Sequence, residues 1–186
     1  MNARPRDASE FTMLAVLVEG GLAVVAVAVG WLIGFDPLQK LRLEGDGWYL
    51  LLGAGVIATL PMFAGLWLIE ILPWAALNRL QDVAEGVLRK MLGRASIAEL
   101  AVVSLCAGVG EEILFRGLIQ DGLSQLIDSP AGPWIALAIA SILFGFAHAL
   151  TRTYIVLAAL AGAYLGTLFI FTETLWPPIL AHAVYD

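Results

Sequence analysis

The sequence is poor in charged side chains, and this scarcity excludes an ordinary soluble domain. Charged residues make up 14% of the 186-residue chain and apolar residues make up 60%. An average soluble domain is about a quarter charged and about half apolar. The mean hydropathy of +0.87 agrees with this imbalance. The composition therefore indicates a membrane protein.

Basic residues and cysteines are also few. Ten Lys and Arg stand against sixteen Asp and Glu, and the formal net charge of -6 excludes the clustered positive charge that nucleic-acid binding needs. We therefore expect no DNA or RNA partner. The single cysteine, Cys106, excludes a disulfide framework and a cysteine-based metal site, and we interpret it as a buried packing thiol.

Long apolar runs predict an all-α fold, a polytopic transmembrane helical bundle of about six helices. The number follows from dividing the chain length by roughly 25 to 30 residues for each span and its loop. The predicted segments are residues 13–35, 48–74, 97–127, 134–150, 154–172 and 175–186. The first run is too long for the apolar core of a signal peptide, so we expect a span that is retained.

Residues 77–92 predict one further helix of a different kind. Their apolar side chains recur at helical spacing, and charged side chains occupy the opposite face. Such a helix either lies in the membrane interface as an amphipathic interfacial helix or packs on the bundle as a solvated helix.

The distribution of basic residues predicts the orientation in the membrane. With six spans, one side of the membrane carries Arg4, Arg6, Arg79, Arg89, Lys90, Arg94 and Arg152, and the other side carries Lys40 and Arg42. Cytoplasmic loops carry the excess of Lys and Arg. We therefore expect both termini to be cytoplasmic.

Ionisable side chains inside the apolar segments are the candidate functional residues. They are Glu111, Glu112, Arg116, His148, His182 and Asp186. A charge in hydrocarbon costs about 2.5 to 3.5 kcal/mol on insertion scales, so such residues usually face a protein interior and serve a function. Glu19 of the first segment is a further case, and it either faces the same interior or reaches the interface.

Helical spacing gives the two adjacent glutamates different roles. Glu112 and Arg116 are four residues apart and share a helix face, so we interpret them as a mutually neutralising, supporting pair. Glu111 points about 100° away from Glu112 and is left to hold a water as the candidate base. An ion-pair network that only pins the helices together is the alternative interpretation.

Both histidines of the chain fall in apolar segments. Counted from the turn near residue 131, Glu111 and His148 lie within about 5 Å of the same height at 1.5 Å per residue, so they can share a water. His182 and Asp186 are four residues apart, so the carboxylate can orient the imidazole. His182 starts roughly 10 Å too shallow, and helix tilt or a re-entrant loop must close that gap.

Three short motifs carry these residues and resemble the signatures of a known family. They are Glu-Glu-x-x-x-Arg at 111–116, Phe-x-x-x-His at 144–148 and His-x-x-x-Asp at 182–186. In this order, each in an apolar segment, they resemble the CPBP family, the CAAX proteases and bacteriocin-processing enzymes also called the Abi family. The resemblance predicts two regions: an N-terminal membrane region, 1–96, with two spans and the amphipathic helix, and a CPBP protease core, 97–186.

The resemblance implies an intramembrane endopeptidase with a water-filled cavity opening to the cytoplasm. By position, Glu111 would activate water together with His148, and His182 with Asp186 would support the oxyanion. Eukaryotic members remove the last three residues of prenylated CAAX proteins, so we expect membrane-associated or CAAX-like protein or peptide substrates. The family commonly has Asn at the last motif position. An Asn donates a hydrogen bond directly, whereas Asp186 does so only when protonated and otherwise acts by orienting His182.

Four further expectations concern cofactors, an alternative function, location and the C-terminus. Glu111, His148 and His182 could also hold Zn²⁺ or another divalent metal, but HExxH is absent and we favour a mechanism without a cofactor. The alternative function is a non-catalytic membrane protein such as a bacteriocin self-immunity factor or scaffold. We expect an integral protein of a prokaryotic plasma membrane, from the abundance of the family there. Because Asp186 ends the chain within an expected helix, we also expect a short or truncated C-terminus.

Overall fold

The structure is a computed structural model that describes residues 6–42, 47–91 and 95–186. Two of the basic residues on which the predicted orientation depends, Arg4 and Arg94, lie outside the described residues. Leu92, at the end of the predicted amphipathic helix, also lies outside them. The orientation of the termini stays a prediction.

The described residues are almost entirely helical and contain no strand, which confirms the all-α fold class. The α-helices are α1 (Arg6–Ile33), α2 (Trp48–Ile57), α3 (Thr59–Ile71), α4 (Ala75–Met91), α5 (Ile97–Glu112), α6 (Gly122–Leu126), α7 (Gly132–Ala147), α8 (Arg152–Thr172) and α9 (Trp176–Tyr185). A π-helical segment, Ile113–Asp121, joins α5 to α6, and a short 3-10 turn, Gln39–Leu41, follows α1.

Three helical stretches in the described part of the chain are long and apolar enough to cross a membrane. They are Glu10–Ile33, Trp48–Ile71 and Arg152–Thr172, and the apolar helix Gly132–Ala147 is shorter. The predicted segment 97–127 forms one helical run through α5, the π-helical segment and α6, and it carries the charged residues of the candidate site. The last predicted segment, 175–186, forms a helix that is too short to cross a membrane. Helix α9 has ten residues and is about 15 Å long, whereas the hydrocarbon core of a bilayer is about 30 Å thick.

Local sequence explains where the helices begin and end. Ser96 caps α5 and Glu99 closes the capping box, with the hydroxyl of Ser96 accepting from the Glu99 amide. Thr151 caps α8 in the same way, accepting from the Tyr154 amide. The predicted segment 48–74 divides at Ala58 into α2 and α3, and α3 ends at Ile71 just before Pro73.

The amphipathic helix α4 packs on the bundle through its apolar face. Leu77 and Leu80 are buried, and α4 contacts α8. These two leucines favour the interpretation of α4 as a helix held against the bundle.

Glycines let three helices approach closely around the centre of the bundle. A Cβ on Gly110 of α5 would overlap the backbone carbonyl of Glu19 in α1. On Gly108, two residues earlier and on the opposite side of α5, it would come within 2.8 Å of the Ala183 Cβ in α9. Small residues at helix interfaces are typical of membrane bundles. Helix α5 is therefore held between α1 and α9, and Glu111 follows directly after the closest approach.

Candidate active site

The predicted site residues come from three elements that meet inside the bundle. Glu111 and Glu112 end α5, His148 caps the C-terminus of α7, and His182 lies in α9. All of these except His148 are buried, and Glu112 has no exposed surface. The carboxylates and imidazoles predicted from the three motifs therefore lie in one cluster.

Glu111 and His148 face each other. His148 Nε2 lies 3.5 Å from Glu111 Oε2, and the His148 side chain is 24% exposed against 8% for Glu111. The Nδ1 of His148 lies 2.9 Å from the Phe144 carbonyl, which only accepts, so Nδ1 carries the proton there and Nε2 faces Glu111. The common height predicted from the hairpin is confirmed by this pairing.

Glu112 holds two partners rather than the one that helical spacing predicts. Its Oε2 lies 3.1 Å from Arg116 Nε, as expected for residues four apart. Its Oε1 lies 2.8 Å from Nδ1 of His182. The other ring nitrogen of His182, Nε2, lies 3.4 Å from Asp186 Oδ2. His182 is thus clamped between two carboxylates, and the contact with Glu112 is one the sequence did not reveal.

The depth of His182 is explained by where α9 begins. Leu175, Pro177 and Pro178 are fully buried, so the helix starts inside the protein and not at its surface. The chain after α1 covers this start: the Leu175 amide and the Thr174 hydroxyl both donate to the Lys40 carbonyl, at 3.0 Å and 2.9 Å. This buried start, covered by the segment after α1, brings His182 to the level of Glu112 and closes the predicted gap.

Phe144 packs against three of the functional side chains. Its ring stacks on the His148 ring with centroids 4.4 Å apart and lies edge-on to the His182 ring at 5.8 Å. The Arg116 guanidinium carbon lies 4.7 Å from the Phe144 ring centroid, a cation–π contact. The motif residue Phe144 therefore contacts both histidines and Arg116.

Arg116 and Gln120 bind the π-helical segment to α8. Arg116 Nη2 donates to the Gly162 carbonyl at 3.0 Å, and Gln120 Nε2 donates to the Gly166 carbonyl at 2.9 Å. Both side chains are buried. The supporting role predicted for Arg116 agrees with these contacts, but Gln120 was missed because a lone glutamine carries no spacing signal.

Two more side chains lie beside the cluster without belonging to a motif. Glu19 reaches from α1 to within hydrogen-bonding range of Glu111. The ring of Tyr154, in the first turn of α8, lies 6.1 Å from that of His148. The sequence pointed to Glu19, because it is an acidic residue in an apolar span, whereas nothing in the sequence pointed to Tyr154 as a residue of the site. Glu19 thus faces the interior, the first of the two possibilities left open by the sequence.

Glu111, His148 and His182, which the sequence suggested as possible metal ligands, do not fit a metal ion. Both ring nitrogens of His182 already face carboxylate oxygens, of Glu112 and Asp186, so neither is free to bind a cation. Within residues 6–42, 47–91 and 95–186, no three His, Cys, Asp or Glu side chains converge as metal ligands do.

A cavity of about 390 Å³ lies between α4 and the start of α8. Its lining residues are Ala75, Arg79, Leu80, Thr151, Arg152 and Thr153. None of the four predicted catalytic residues lines this cavity, although Thr151 follows His148 by three positions.

Comparison with known protein families gives a match over the second half of the chain. A model of the type II CAAX prenyl endopeptidase Rce1-like family matches residues 93–186, a stretch that contains all three motifs and begins four residues before α5. Searches among curated proteins and among solved structures give no match. The match supports a protease, a hydrolase with a protein or peptide substrate, and the apolar helices support an integral membrane protein. The chain belongs to the type II CAAX prenyl endopeptidase Rce1-like family.

Proposed function

We propose that this protein is an intramembrane endopeptidase that cleaves membrane-associated or prenylated CAAX-like substrates with a water activated by glutamate. The observation that carries the proposal is the 3.5 Å approach of Glu111 Oε2 and His148 Nε2, inside a helical bundle and with His148 still partly exposed. Peptide hydrolysis needs a base for water and a stabiliser for the oxyanion. The cluster offers one group for each task.

Glu111 is the base. A water bound between Glu111 and His148 gives a proton to the Glu111 carboxylate while its oxygen attacks the scissile carbonyl carbon. The tetrahedral intermediate collapses as the C–N bond breaks, and the proton on Glu111 passes to the leaving amine. A positioned base of this kind contributes about 10² to 10⁴ in rate.

His148 and Phe144 orient the water. The hydrogen bond from His148 Nδ1 to the Phe144 carbonyl fixes the tautomer, so Nε2 accepts from the water. The stacking of the Phe144 ring on the imidazole fixes its plane. The lone pair of the water oxygen then points away from both groups and toward the substrate.

His182 stabilises the oxyanion. A ring whose two nitrogens each face a carboxylate donates from both, which is the cationic form of the imidazole. A fixed positive charge at the edge of the cluster favours the developing negative oxygen. Asp186 is 34% exposed, so it is the partner that a substrate oxygen can displace, while the buried Glu112 keeps its hold on the ring.

The test compares the membrane peptides of cells that express the wild type, Glu111→Gln or Glu70→Gln at matched levels. Glu111→Gln keeps the shape and removes the base, whereas Glu70 is an exposed residue of α3 distant from the motifs in sequence. New peptide termini should appear with the wild type and with Glu70→Gln and be absent with Glu111→Gln. Identical termini in all three strains would contradict the protease and favour the immunity factor or scaffold.

A further inference from the structure

Glu19 is an acidic residue near the middle of the apolar helix α1, in the stretch Glu10–Ile33 that can cross the membrane. An ionised carboxylate at that depth is costly unless it has a partner. Its Oε2 is buried and accepts no hydrogen bond from any of the described residues. The role of this side chain is not explained by the packing of α1.

The backbone places Glu19 against the candidate base. Gly110 is the residue before Glu111, and its lack of a Cβ lets α5 touch the Glu19 carbonyl. From this contact the Glu19 carboxyl group reaches the Glu111 carboxyl group, within hydrogen-bonding range. Two carboxyl groups in contact at a buried site do not both ionise, because like charges repel strongly there, and they share one proton.

The neighbours of the two groups decide which one keeps the proton. Glu111 acts as the base of the proposed reaction, which requires its ionised form, and its Oε2 also lies 3.5 Å from His148 Nε2. The buried Oε2 of Glu19 accepts no hydrogen bond from any described residue, so nothing offsets the cost of a negative charge there. The neutral form therefore belongs to Glu19, whose O–H can donate to the Glu111 carboxylate.

We propose that Glu19 is a positioning residue: its neutral carboxyl group donates a hydrogen bond to Glu111 and holds that carboxylate toward His148. The inference rests on the proposed function of Glu111 as the base. It also gives α1 a part in the site, although α1 lies outside the family match at residues 93–186.

The test is a kinetic comparison of Glu19→Gln and Glu19→Met with the wild type in liposomes, with a quenched-fluorescence farnesylated CAAX peptide as the probe. Gln keeps the length and an N–H donor, while Met keeps the length and removes the donor. Glu19→Gln should retain kcat, and Glu19→Met should lower kcat roughly 10- to 100-fold with KM unchanged, as loss of a hydrogen bond to a charged group predicts. Glu70→Met is the matched control, an exposed acidic residue of another span.

Two kinetic outcomes would overturn the inference while leaving the protease intact. One is an unchanged kcat in Glu19→Met, and the other is an equal loss of kcat in Glu19→Met and Glu19→Gln. A wild type that does not cleave the probe, or cleaves it as fast as Glu111→Gln does, would instead refute the proposed function.

An infrared measurement tests the proton directly and needs no activity or Met variant. The wild type should show the carbonyl band of a protonated carboxyl group, and Glu19→Gln should lose that band. Persistence of the band in Glu19→Gln would place the proton elsewhere and overturn the inference.

Discussion

Glu112 binds two partners with its two carboxylate oxygens: Oε1 lies 2.8 Å from Nδ1 of His182, and Oε2 lies 3.1 Å from Nε of Arg116. Both contacts are buried, and Arg116 continues to the Gly162 carbonyl of α8 at 3.0 Å. One carboxylate therefore links α5, α9 and, through Arg116, α8. This linkage sets the position of His182 without placing Glu112 among the reacting groups.

Replacing Glu112 should destabilise the bundle more than its size suggests. Glu112→Gln leaves the buried guanidinium of Arg116 without its counter-charge, and breaking a buried ion pair costs about 3 to 5 kcal/mol. Thermal unfolding in detergent should show a clear drop in Tm for this variant and none for the exposed control Glu70→Gln.

A double variant measures how strongly Glu112 and Arg116 are coupled in their contribution to stability. Glu112→Gln combined with Arg116→Met should cost less than the sum of the two single losses, because the second change removes the unpaired charge. Losses that add, or a Tm for Glu112→Gln equal to that of the wild type, would mean that the pair carries no stability.

Gly110 should be intolerant of even one methyl group. Gly110→Ala forces the new Cβ against the Glu19 carbonyl, so α1 must move away from α5. We expect a loss of roughly 1 to 3 kcal/mol, the usual cost of overpacking, together with a lower kcat because Glu19 moves with its helix. Unfolding and cleavage of the CAAX peptide measure the two effects.

Gly65→Ala is the matched control for that change. Gly65 lies within α3, where an added Cβ meets nothing within 4 Å, so alanine should be neutral or stabilise by up to about 1 kcal/mol. Equal stabilities for Gly110→Ala and Gly65→Ala would contradict the close contact of α1 with α5.

Much of the fold could be predicted because each membrane-spanning helix corresponds to a long run of apolar residues in the sequence. The pairing of Glu111 with His148 was also predictable, since both lie on one antiparallel hairpin whose turn fixes their heights. His182 was harder, because its depth depends on Leu175 being buried beneath the chain at Lys40, a contact across 135 residues. No local pattern encodes a contact of that range.

The partners of the acidic residues show the same limit. Helical spacing correctly predicts Arg116 as a partner of Glu112, because four residues span about one helical turn. It cannot predict the contact of Glu112 with His182 or that of Glu19 with Glu111, because each of these contacts joins two different helices. The glycines that permit such approaches, Gly108 and Gly110, become informative only when the opposing helix is known.

Asp186→Asn should be tolerated. An amide can donate a hydrogen bond to the oxyanion directly, whereas the carboxylate of Asp186 can act on it only through His182. We expect kcat to be retained in Asp186→Asn and to fall in Asp186→Ala, because alanine leaves Nε2 of His182 without the side chain that orients the ring. Equal losses in the two variants, measured on the CAAX peptide, would show that the amide cannot replace the carboxylate.

Chelators should leave the activity unchanged. His182 has both ring nitrogens engaged by Glu112 and Asp186, so it cannot also serve as a metal ligand. Cleavage should proceed at the same rate after treatment with excess EDTA or o-phenanthroline. Loss of activity that added Zn²⁺ restores would contradict a mechanism without a metal and would indicate that Glu111, His148 and His182 are metal ligands.

The most direct test of Glu111 as the catalytic base is the rate of peptide cleavage by purified Glu111→Gln. Wild type, Glu111→Gln and Glu70→Gln are reconstituted in liposomes and given farnesylated and unmodified CAAX peptides, with unfolding curves confirming that each variant is folded. We predict that Glu111→Gln loses about 10² to 10⁴ in the rate of cleavage while Glu70→Gln matches the wild type. A folded Glu111→Gln that cleaves as fast as the wild type would contradict the claim that Glu111 activates the water.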